Sequence, residues 1–80
     1  MGKLPVYQIE VWIDERYLTE NEKEKGRNKS IIKAIGIREK KDIIRNVLTQ
    51  GVGIDEDTIL ETFFPSHCIS RITVTKIIKK

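Results

Sequence analysis

The 80-residue sequence holds a single cysteine, a single histidine, a single tryptophan and, at Ala34, a single alanine. Each scarcity closes off a class of protein. Cys68 alone cannot close an internal disulfide, and Cys68 with His67 falls short of the four ligands of a structural zinc site, so no metal or cofactor is expected. No apolar run approaches the roughly 20 residues of a membrane-spanning helix, and the opening MGKLPVYQIE lacks the apolar stretch of a secretory signal. Val6 stands where a myristoylated start carries Ser or Thr. A lone thiol without a targeting segment leads to an expectation of the reducing cytoplasm, with no membrane partner. Alanine is almost absent while isoleucine and lysine abound, a bias of AT-rich coding found in low-GC bacteria, their phages and archaeal viruses.

What is present reads as one globular domain, 1–80: 39% of residues are hydrophobic, 34% are charged, and the net charge is +3. A core of this size is marginal. Ordering costs about 1.5 kcal/mol per residue, close to what apolar burial returns at about 25 cal/mol/Å². With no disulfide or metal to help, self-association is expected.

Val6 to Ile13, VYQIEVWI, alternates with period two and predicts an antiparallel strand, with Tyr7, Ile9, Val11 and Ile13 inward and Val6, Gln8, Glu10 and Trp12 outward. Asp14 to Lys29 carries five acids and five bases and forms a long charged arm, either a hairpin extension or a mobile loop. Ser30 to Ile37 is β-branched and predicts a second strand, with Gly36 marking a bulge or a close backbone approach. From Arg38 to Gln50 the period turns helical: Ile43 with Val47 and Ile44 with Leu48 form one stripe, and Gly51 sits where a helix ends. Val52 to Phe64 fits a helix capped by Asp55 or a strand, and the strand reading is preferred because the segment runs through Pro65 into another strand, Cys68 to Ile78. The expected fold is α+β: a small antiparallel sheet in the order β-β-α-β-β, one packed helix, and the charged arm between the first two strands.

Reactive candidates are few. In extended chain the side chains of His67 and Cys68 leave opposite faces, out of the reach that a nucleophile and its base require. They are read instead as a corner at Pro65–Ser66, with His67 bonded to nearby backbone and Cys68 packed as a small apolar group. Asp55, Glu56 and Asp57 point in different directions and lack the alternate spacing of a calcium loop. The GVG at 51–53 follows a helix, whereas a phosphate-cradling loop follows a strand. No catalytic residue is expected.

Two kinds of binding surface remain. Arg38, Lys41 and Arg45 share a helix face and, with Arg71, Lys76, Lys79 and Lys80, would form a basic track for phosphates; stacking groups for single strands are limited to Trp12, Tyr7 and Tyr17. Val6 and Trp12 lie opposite the inward stripe, Tyr17 and Leu18 sit in the charged arm, and Ile77–Ile78 place apolar groups on both faces of the last strand. One helix covers one face, so Val6, Trp12, Tyr17 and Ile77 form the candidate interface.

The stretch PSHCISRI, as Pro-x-His-x-Ile-x-x-Ile, is similar to the closing strand of a small archaeal domain family that recognises RNA ends. That family usually carries an arginine after the histidine, and Cys68 stands there in this chain. The likeness covers about eight of the 80 residues, and the family's function is not carried over. The sequence therefore predicts a non-enzymatic, oligomeric accessory protein acting on a protein or small-ligand target, as a phage or mobile-element product modulating a host factor would. The alternatives are an RNA- or DNA-binding module and, third, an enzyme centred on His67.

Overall fold

The computed structural model describes residues 4–55 and 61–77. Alternation along β1 (Val6–Ile13) is reproduced in burial: Tyr7, Ile9, Val11 and Ile13 are buried, while Val6, Gln8, Glu10 and Trp12 are only half covered. β1 is the central strand of three. It pairs antiparallel with β2 (Lys29–Ile35) on one side and with β5 (Ile69–Ile77) on the other, giving the order β2-β1-β5. The first strand is central because it is the one with a fully apolar inner face and hydrogen-bonding partners on both edges.

Between β1 and β2 the charged arm is neither a hairpin extension nor a bare loop. Asp14 caps a 3-10 turn over Glu15–Tyr17, and a short helix α1 (Glu20–Glu24) follows. Thr19 Oγ1 accepts the Glu22 N–H at 3.1 Å while Glu22 Oε1 accepts the Thr19 N–H at 2.8 Å, a reciprocal cap that satisfies two donors otherwise left open at a helix start. Leu18 is buried and anchors the arm to the core.

The second strand stops two residues before the sequence suggests. Gly36 has φ +86°, a left-handed conformation that side chains resist, and its N–H donates to the Pro5 carbonyl at 2.7 Å. Rather than a bulge, it is the corner at which β2 turns directly into α2 (Gly36–Gln50). No side chain caps α2 from Ile35, but the Glu39 carboxylate reaches back to accept the Ile35 N–H at 3.3 Å. Ala34 is fully buried where the helix packs back over the strand. Val47 is buried on the inner face of the sheet, and Ile43 and Ile44 pack against it; Leu48, expected on the same stripe, is 59% exposed.

Val52 to Phe64 is two strands rather than one. β3 (Val52–Asp55) and β4 (Glu61–Phe64) pair as an antiparallel ribbon from Val52↔Phe64 to Asp55↔Glu61, separate from the main sheet. The strand order is thus β-β-α-β-β-β, and the fold class is α+β as expected. Val52, Ile54 and Phe64 join the core cluster, whereas Phe63 is exposed. Gly51 makes the helix-to-ribbon junction at φ +97°, and a Cβ there would lie 2.8 Å from Pro65 Cα and closer still to the Phe64 carbonyl oxygen. Residues 56–60, which include the acids Glu56 and Asp57, lie outside the described residues, as do Ile78, Lys79 and Lys80. Among the described residues, no helix is long and apolar enough to cross a membrane. The described chain extends over 47 × 26 × 22 Å.

Candidate binding face

Strand register organises the sheet face opposite α2 into four cross-strand rows. Ile35–Val6–Ile77 is wholly apolar, Lys33–Gln8–Thr75 and Ile31–Glu10–Thr73 are mixed, and Lys29–Trp12–Arg71 closes the other end. Ile31 and Ile35 are 52% and 56% exposed, large apolar groups in contact with water on one face of the sheet. Single exposed apolar residues are ordinary; several aligned on one sheet face form a surface that gains from being covered.

The electrostatics of this face come from Lys29, Lys33 and Arg71 against Glu10 alone. Glu10 Oε2 lies 3.9 Å from Lys29 Nζ and accepts from Gln8 Nε2 at 3.4 Å. Trp12 receives a cation from each neighbouring strand, with Lys29 Nζ 4.8 Å and the Arg71 guanidinium 4.9 Å from its ring centroid. Such contacts suit the electron-rich ring face. They also occupy it, so the indole is held as part of the surface and is not a free stacking platform. Its Nε1 is buried without a hydrogen-bond partner.

Of the predicted interface residues, Val6, Trp12 and Ile77 fall together on this face, Val6 directly opposite Ile77. Tyr17 does not join them. It sits in the 3-10 turn of the arm, where its ring meets His67 edge-on at 5.6 Å between centroids and the Arg16 guanidinium lies 5.7 Å away. The predicted basic track is divided. Arg38, Lys41 and Arg45 surround a shallow groove of about 360 Å³ on the outer side of α2 with Ile37 and Asp42, and Arg45 Nη1 is 3.9 Å from Asp42 Oδ1. Arg71 lies across the sheet from them, beside Trp12. Lys76 aligns with Tyr7 on the helix side of β5. The remaining members, Lys79 and Lys80, lie outside the described residues.

His67 and Cys68 occupy a 3-10 turn, Ser66–Cys68, and not extended chain. Cys68 is buried, and its N–H donates to the Pro65 carbonyl at 3.0 Å. The expected corner at Pro65–Ser66 is therefore present, but His67 stays exposed with its ring against Tyr17, an aromatic contact in place of the expected backbone hydrogen bond. In the same turn as Tyr17, a side-chain hydrogen bond from the Arg16 guanidinium, helped by the Arg16 backbone N–H, holds the Asp14 carboxyl below the usual carboxylate range. Among the described residues, no three of His, Cys, Asp and Glu converge where a metal ion could sit.

Sequence reasoning missed Ile31, Ile35, Lys29 and Lys33. The signal was present in the alternation of KSIIKAI, yet its two faces, Ser30–Ile32–Ala34 and Ile31–Lys33–Ile35, are similar in polarity. Only the pairing with β1 tells them apart. No family model, curated protein or solved structure matches this chain.

Proposed function

We propose that this chain is a non-enzymatic binding protein that self-associates and holds a partner protein on the open face of its three-stranded sheet. The observation that carries the reading is the alignment of Ile31, Ile35, Val6 and Ile77 with three cations on one uncovered face. The chemistry fits a partner that offers apolar side chains ringed by carboxylates, because apolar anchors supply affinity and the surplus of Lys29, Lys33 and Arg71 over Glu10 supplies orientation. The exposed groups are isoleucines and the one indole is flanked by cations, which favours a protein partner over stacked bases. AT-rich coding fits an accessory role, such as a phage or mobile-element product acting on a host factor in the cytoplasm. A nucleic-acid reading draws on Arg38, Lys41 and Arg45, which one groove brings together.

The test is native mass spectrometry of tagged protein purified from its own host. Wild type is expected to carry a partner protein, and the Ile31→Lys/Ile35→Lys double variant, checked for its fold by circular dichroism, is expected to lose it. A partner retained by the double variant overturns the assignment of the face. A nucleic-acid cargo released by Arg38→Ala/Lys41→Ala/Arg45→Ala, with affinity falling steeply as salt rises, replaces it with the second reading.

A further inference from the structure

We infer that two copies of this chain join edge to edge through β5, antiparallel about Thr73, to form one six-stranded sheet. The inference rests on the self-association proposed above and names its surface. β5 is the outermost strand on its side of the sheet; no described strand pairs with its second edge, and alternate residues there present unpaired N–H and C=O groups. The edge at β2 is different, because the β3–β4 ribbon packs beside that strand, Val52, Gly53 and Phe63 sharing a groove with Ser30 and Ile32.

Beside the open edge, on the helix side, lies an apolar groove of about 450 Å³ between α2 and β5, lined by Ile44, Leu48, Ile69, Ile72 and Val74 among others. It is the part of the inner sheet face that α2 leaves uncovered. Leu48 is 59% and Val74 38% exposed there. A foreign strand laid on the edge would complete the hydrogen bonds but would bring no helix to cover this groove. A second copy, related by a two-fold axis normal to the sheet, brings its own α2 on the same side, so Leu48 and Val74 of each chain meet the apolar groove of the other.

The sequence of the strand is complementary to itself. Thr73 is the midpoint of Ile69–Ile77. Antiparallel pairing about it sets Thr73 against Thr73, Ile72 against Val74 and Arg71 against Thr75. Side chains of each pair then leave on the same face. Threonine pairs and apolar pairs directly across strands are favourable, and no like charges oppose one another. The strand has no proline, and its one inward-facing charge, Lys76, stands next to the strand's end, where this register sets it against Ser70 and not against another cation. The two open faces become one continuous surface, with the Lys29–Trp12–Arg71 clusters at its opposite ends.

Sedimentation velocity and cysteine cross-linking test this. Wild type is expected at twice the chain mass. Thr73→Lys, which sets two ammonium groups against each other on the axis, should raise the dimer dissociation constant at least ten-fold while circular dichroism stays native. Thr73→Cys should cross-link under mild oxidation, whereas Thr75→Cys, offset from its counterpart by the same register, should not. A dimer indifferent to Thr73→Lys, or cross-linking equally at both positions, overturns the edge pairing and leaves self-association standing. A wild-type monomer at micromolar concentration overturns both.

Discussion

Gly51 shows how a single residue fixes the route of the chain. Its φ of +97° ends α2, and its missing Cβ lets the backbone pass against Phe64 and Pro65 at the root of the ribbon. Backbone strain of this kind costs about 1–3 kcal/mol by itself, and here a steric clash adds to it. Gly51→Ala should therefore destabilise the fold by at least about 2 kcal/mol, lowering the thermal midpoint by roughly 10 °C. A melting curve that matches wild type would show that the junction relaxes freely. Residue chemistry also accounts for Cys68, a buried, small apolar group in a turn, and for His67, which meets Tyr17 at the surface. The turn sends the two neighbouring side chains to different surroundings, Cys68 into the core and His67 to the surface.

At the scale of elements, the arm between β1 and β2 is built from local polar interactions. Asp14 caps the first turn, Thr19 and Glu22 cap α1, and Leu18 alone reaches the core. The Asp14–Arg16 pair titrates with a definite sign. The folded carboxyl has a pKa below its unfolded value of about 3.9, so its contribution to stability is present above that pH and fades as pH falls through the folded value. The pair is exposed, and the effect belongs to the turn more than to the whole fold. Arg16→Ala should raise the Asp14 pKa in a carbon-detected NMR titration. An unchanged titration curve would exclude the guanidinium as the cause. α2 follows other rules. Its inward stripe of Ile43, Ile44 and Val47 is legible in the heptad-like spacing, yet Leu48 on the same stripe emerges at the side because the sheet beneath it ends at β5.

For the molecule as a whole, the balance of burial and ordering makes company valuable. The only fully buried large side chains are Ile9 and Val11 among the described residues, a small interior for 80 residues. Joining two copies along β5 would extend both the sheet and the apolar layer under the helices. Association of folded chains draws the folding equilibrium with it, and a hundredfold change in concentration shifts such a coupled equilibrium by about 2.7 kcal/mol. The thermal midpoint should accordingly fall by several degrees on hundredfold dilution. A midpoint independent of concentration would mean that the single chain folds unaided.

The sequence by itself determined the strand β1 and its inward face, the helix and its terminating glycine, the last strand, and the α+β class. Each of these is written in local periodicity or in a residue whose backbone preference is strong. Tertiary structure alone decided which face of β2 is outward, that Val52 to Phe64 folds back as a ribbon, that Tyr17 leaves the company of Trp12, and that the cations of α2 and Arg71 part to opposite sides of the sheet. These are matters of pairing between segments far apart in the chain. Period-two alternation states that a strand has two faces, but only its neighbour selects the one that meets water.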